Sequence, residues 1–190
     1  MSNKINTESG FDKTEMTASQ SRFLISDFNW KEIVDKAVCE LYKRDSKLFK
    51  YDVHEVAISH RLAIYIEQIL KEYKIVGNYS IDLEYNRNLK DSKHLSPNQI
   101  KKERPDIVVH ERGTHENNLL IIEIKKNGSE VNSSDDNKLK GATSPDQEFK
   151  YDCGLFLILK RKSVHYTWYS EGEQEKKEPA KVSEKYGKTV

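Results

Sequence analysis

The stretch LLIIEIKK, residues 119–126, decides how the rest of the chain is read. Its first half is apolar at every position, as in a central strand buried on both faces, and its second half is charged. Strand alternation puts Leu119, Ile121, Glu123 and Lys125 on one face and Ile122, Ile124 and Lys126 on the other. A buried carboxylate costs several kcal/mol unless it is paired or bound to a metal. Glu123 therefore either has a partner or marks the point where the strand reaches solvent, with Lys125 as a same-face ion pair worth about 0.5 kcal/mol.

Working upstream, Asp106–His110 is a short β-branched segment introduced by Pro105, which is tolerated at the start of a strand where an amide donor is dispensable. The turn around Arg112–Asn118 is short enough to make the two strands antiparallel neighbours, and that pairing can bring Asp106 beside Glu123. Two carboxylates so placed repel each other and invite a hard divalent cation, while Lys125 emerges next to them. Before these strands, YSIDLEYNR (79–87) alternates Ile81, Leu83 and Tyr85 with polar residues, as a half-buried strand does. Two helices come earlier. One spans Trp30–Tyr42, with Asn29 as its cap. The other runs from about Asp52 to Tyr73 with a stripe of Leu62, Ile66, Ile69 and Tyr73. Glu55 falls on the centre line of that stripe and points toward the sheet, although a first-turn glutamate is also favoured by the helix dipole in solvent.

Downstream, a short helix at 134–140 precedes GLFLILKR (154–161), a buried strand, and SVHYTWYS (163–170), an alternating one. The order of helix, helix, three strands, helical link and two strands is a mixed α/β layout. The 190 residues carry 32 Lys+Arg against 31 Asp+Glu and 36% hydrophobic residues, which suits one domain at 21–170 with mobile polar tails at 1–20 and 171–190. The longest apolar runs, Leu119–Ile122 and Leu155–Leu159, fall far short of the roughly 18–20 residues of a membrane helix, and no secretory leader is visible, so a cytoplasmic location is expected. Cys39 and Cys153 read as two buried thiols. A net charge of +1 gives no global nucleic-acid signature, so any such contact must come from local groups, with Lys101, Lys102, Arg104, Lys160, Arg161 and Lys162 as candidates.

Pro105-Asp106 followed, after 16 intervening residues, by Glu123-Ile124-Lys125 resembles the signature of the PD-(D/E)XK nuclease superfamily, over roughly residues 52–161. The resemblance implies a restriction-endonuclease-like mixed β-sheet core flanked by helices. It implies a Mg²⁺-dependent phosphodiesterase, with Mn²⁺ as substitute, that cuts DNA or RNA, DNA being the first expectation. Asp106, Glu123 and the Ile124 carbonyl would hold the metal, Glu55 would add a third acidic ligand, and Lys125 would position or activate the attacking water. Gln147 and Tyr151 match the Q-x-x-x-Y spacing of exonuclease-like members, and Lys138 or Lys140 would reach a phosphate unless they belong to a solvated charge cluster. A catalytically silent nucleic-acid-binding or assembly module is the alternative. Sequence specificity would come from the polar loop at 87–104, a homodimer or a separate partner.

Overall fold

The computed structural model describes residues 28–51, 53–73, 77–85, 104–114, 116–127, 130–147 and 150–175, with the backbone of 178–180. Helix α1 (Trp30–Asp45) starts where the Asn29 side chain accepts from the amides of Lys31 and Glu32, and it buries Ile33, Val34, Ala37, Val38, Leu41 and Tyr42, the face set by its periodicity. A single turn, α2 (Lys47–Lys50), leads to α3 (Glu55–Glu72). His54 caps α3 by accepting from the Val56 amide, and Ile58, Leu62, Ile66 and Ile69 lie on its buried side.

Strands β1 (Ser80–Leu83), β2 (Ile107–His110) and β3 (Asn118–Lys126) form an antiparallel meander. Helix α4 (Ser133–Thr143) then crosses over to β4 (Cys153–Lys160), which runs parallel to β3, and β5 (Ser163–Ser170) returns antiparallel to β4. Two short strands, β6 (Glu173–Gln174) and β7 (Glu178–Ala180), both pair with β5. Among the described residues the seven strands form one mixed sheet in the order β1-β2-β3-β4-β5-β6, with β7 beside β5.

The sheet has two differently covered faces. Ile107, Val109, Leu120, Ile122, Ile124, Leu155, Leu157 and Leu159 pack against α1 and α3 in one cluster. Val108, Ile121, Phe156, Ile158 and Tyr169 pack against Leu139 and Ala142 of α4 in a second, smaller one. Helix α4 sits close: a Cβ at Gly154 would lie 3.2 Å from Thr143 Cγ2 and 3.3 Å from Leu139 Cδ2, so this glycine admits the helix. Because β2, β3 and β4 are buried on both sides, the centre of the sheet lies in a helix–sheet–helix sandwich.

Some expectations need correction. The segment 171–190 does not begin as a tail: β6 and β7 extend the sheet into it, by backbone pairing along β5 that needs no apolar side chains and so leaves no trace in composition. Tyr85 does not share a face with Ile81 and Leu83. Glu84 has φ 49°, which turns the chain so that Tyr85 packs with the α4-side cluster while Ile81 and Leu83 stay with α1 and α3. Cys39 and Cys153 are half-buried rather than fully buried, and neither is in a disulfide. Residues 1–27, 181–190 and most of the loop expected at 87–104 lie outside the described residues. No helix among the described residues is long and apolar enough to cross a membrane.

Candidate active site

The meander register places the candidate residues. Ile107 pairs with Ile122 and Val108 with Ile121, so one step outward Asp106 comes opposite Glu123. The contact is direct at the backbone, because the Ile124 amide donates to Asp106 Oδ2 at 2.6 Å. In an antiparallel strand the N–H and C=O of one residue face the same neighbour, so the Ile124 carbonyl is directed to the Asp106 side as well. Asp106, Val108, Ile121 and Glu123 all belong to the α4 side of the sheet. Lys125 follows on that side, opposite Ile158 of β4 and half-buried at the strand end.

Glu123 is 4% exposed, so its charge has little access to water. The compensation comes from α4: Lys138 Nζ lies 2.6 Å from Glu123 Oε1, and both side chains are enclosed. Lys138 also donates to the Arg104 carbonyl at 3.2 Å. The approach to Oε1 is close but oblique, since among the described residues that oxygen is buried without a directed hydrogen bond. Burial pushes the Glu123 carboxyl well above the ordinary range, Lys138 pulls it down and the neighbouring Asp106 charge pushes it up again. Asp106 is raised as well, by burial first; the Ile124 amide, Lys125 and Lys138 oppose that shift, and Glu55 adds to it.

Glu55 reaches the same end of the sheet from the other face. Its Oε1 accepts from the Lys126 amide at 2.8 Å, at the last residue of β3, while Lys126 Nζ donates to the Val53 carbonyl just ahead of α3. Glu55 is thus in electrostatic reach of Asp106 with its Oε1 engaged by the backbone of β3, and among the described residues no three Asp, Glu, His or Cys side chains converge as a chelating group. His54 and His60 are exposed. Gln147 lies in the turn after α4, and Tyr151 is buried in the α4-side core just before β4, so the pair is not carried on one helix. Lys140 is engaged with Asp136 at 3.0 Å.

The parallel pairing of β3 with β4 brings further charge to this end. Lys126 is in register with Leu159, and Lys160 pairs with Ser163 across a turn that exposes Arg161 and Lys162. Arg104, exposed just before Asp106, meets Glu84 at 3.6 Å. The acidic pair therefore has the sheet beneath it and Lys138 against it, with Lys160, Arg161 and Lys162 farther along the same end of β4. Lys138, read from the sequence as reaching a phosphate or belonging to a solvated charge cluster, is buried against Glu123 rather than solvated. The available signal was its helical position, next to Leu139 and one turn before Ala142, both of which face the core.

The donor set fits Mg²⁺ or Mn²⁺ better than zinc: two carboxylates and a carbonyl leave room for the waters and phosphate oxygens these ions retain, and no His or Cys cluster is present among the described residues. No protein-family model, curated protein or solved structure matches this chain.

Proposed function

We propose that this chain is a divalent-cation-dependent nuclease with a restriction-endonuclease-like core. The single observation that carries the reading is the juxtaposition of Asp106 and Glu123, opposite each other at the open end of a meander, with Glu123 Oε1 buried and, among the described residues, met by the Lys138 ammonium without a directed hydrogen bond. A carboxylate kept in such surroundings has a purpose other than stability, since an apolar residue of similar size would cost less. The element order of a helix, a three-strand meander, a crossover helix and a parallel strand supports the finer fold assignment.

When bound, Mg²⁺ supplies Lewis-acid polarisation of a phosphoryl oxygen and lowers the pKa of an attacking water. Asp106, Glu123 and the Ile124 carbonyl would hold it. Lys125, on the same face and one pleat outward from Glu123, is placed to orient a water or to offset charge on the phosphate. The rim of Lys160, Arg161, Lys162 and Arg104 suits a polyanionic backbone, DNA first and RNA second. Glu55 fixes the end of β3, and so the position of Lys125 and Lys126, through the Lys126 amide.

The silent-module reading also has one observation in its favour: Lys138 already neutralises Glu123. Nicking of supercoiled plasmid, with single-stranded DNA and RNA in parallel, decides between them. Cleavage that needs Mg²⁺ or Mn²⁺ and disappears in Asp106→Ala and Glu123→Ala supports the nuclease. Cleavage by Asp106→Ala at the wild-type rate, or none by the wild type on any of these substrates, overturns it.

A further inference from the structure

The mechanism proposed above gives Lys138 no task, yet Lys138 is among the most deliberately placed charges in the molecule. It is 6% exposed, and α4 fixes where its stem begins. The helix is capped by Asn132, whose side chain accepts from the Asp135 amide at 2.9 Å, and tied to β5 by Tyr169, whose hydroxyl donates to Asp136 at 2.9 Å. Gly154 lets it approach the sheet closely. Surface lysines are paired loosely and lose little on release. Lys138 instead delivers its ammonium to one carboxylate oxygen in an enclosed place, at 2.6 Å.

That oxygen is one a cation ligated by Glu123 would use or adjoin. An ammonium in contact with it and a divalent cation bound to the same carboxylate repel strongly where water cannot screen them. Resting on the nuclease reading, we infer that Lys138 is a resident counter-ion that sets the cation affinity of the Asp106–Glu123 pair: it holds Glu123 in place, and it withdraws from Oε1 when a divalent cation binds. Lys138 acts through Glu123 and is a positioning residue. The oblique contact suits the role, because a lysine held in a well-directed network would be harder to displace, whereas the long flexible stem can swing away with the helix left in position.

The test uses the whole 190-residue chain and Mn²⁺ alone, by titration calorimetry at fixed pH and salt. Lys138→Met keeps the apolar stem and removes the charge, and should bind Mn²⁺ about tenfold more tightly than the wild type, a gain of 1.4 kcal/mol. Lys138→Arg keeps the charge and should stay within about threefold of the wild type. A merely structural lysine would lower stability in Lys138→Met without tightening the metal. If Lys138→Met binds Mn²⁺ no more tightly than the wild type, while Asp106→Asn loses binding, the counter-ion role is wrong and the cation site stands. If neither wild type nor Lys138→Met binds Mn²⁺, the site itself is wrong and the inference falls with it. A second measurement needs no variant: amine-reactive labelling of Lys138 in the wild type, read by mass spectrometry, should be slow without metal and rise with saturating Mn²⁺. Labelling that stays slow while calorimetry shows Mn²⁺ bound overturns the proposal even if Lys138→Met fails to fold.

Discussion

Two acid-bearing clusters share one face of this sheet, one reaching His110 at the far end of β2 from an Asp82 that lies opposite Val108, the other at Asp106 just before β2 begins, and their carboxylates are treated in opposite ways. At the far end Asp82 is met on both oxygens. His110 Nε2 lies 2.9 Å from Oδ2, Arg112 Nε donates to Oδ2 at 2.8 Å, and the second Arg112 nitrogen bonds Oδ1. The Arg112 guanidinium holds the Asp82 carboxyl below its usual range against the push of burial, with His110 assisting. At the near end Asp106 and Glu123 are both pushed up, burial leading in each case. The Asp82 cluster is what a fold does with a carboxylate it uses as a fastener. The contrast is that Asp82 is bonded on both oxygens, whereas among the described residues Asp106 accepts from one backbone amide and Glu123 meets one ammonium.

The largest expected difference between the two ends is in rate. Asp106→Ala or Glu123→Ala should lower metal-dependent cleavage by more than about 100-fold, beyond what loss of an outer partner costs, whereas Asp82→Asn should leave the rate constant within a few-fold of wild type under conditions where it stays folded. Equal losses at both ends, measured as single-turnover nicking, would erase the distinction.

Stability should separate the ends next. Lys138→Ala strands Glu123 in an enclosed site and should cost about 3 kcal/mol in urea denaturation without metal. Arg112, whose side chain is 60% exposed, should cost under about 1 kcal/mol when changed to alanine, because solvent screens what it offers. A cost for Lys138→Ala no larger than for Arg112→Ala would mean that water reaches Glu123.

The smallest effect is in pH dependence. A carboxylate held low contributes stability above its unfolded pKa near 3.9 and loses it as the pH falls through the folded value. Asp82→Asn should therefore be less stable than wild type by about 1 kcal/mol at pH 7. That gap should close as the pH falls through the lowered folded value. A gap independent of pH would assign the loss to packing instead of charge.

Much of this arrangement was legible because it is local. The period of 3.6 identifies α1 and α3, alternation identifies β5, β-branched and continuous apolar runs identify β2, β3 and β4, and Pro105-Asp106 with Glu123-Ile124-Lys125 mark the acidic pair, since a meander with a modest turn leaves few registers to choose from. What depends on contacts between distant segments was not legible. The pairing of Lys138 with Glu123 follows only once α4 is laid on the sheet at Gly154. The Asp82–His110 contact depends on the β1–β2 register, in which Asp82 lies opposite Val108, and the intervening chain gives no hint of it. Glu55 was seen to face the sheet, but that its carboxylate would close the end of β3 at the Lys126 amide follows only from the observed packing.

The way the sheet ends has a consequence for how the protein behaves in a crowded solution. An exposed strand edge is a template on which another chain can add and begin an aggregate. Here β5 is overlaid by β6 and β7, two strands of two and three residues that consume its outer hydrogen-bonding groups and are themselves too short to extend the template. At the opposite margin β1 is four residues long, and the left-handed backbone at Glu84 turns the chain out of strand geometry before a longer edge can form. Among the described residues, both margins of an otherwise highly apolar sheet are thus poor nuclei for chain-to-chain pairing.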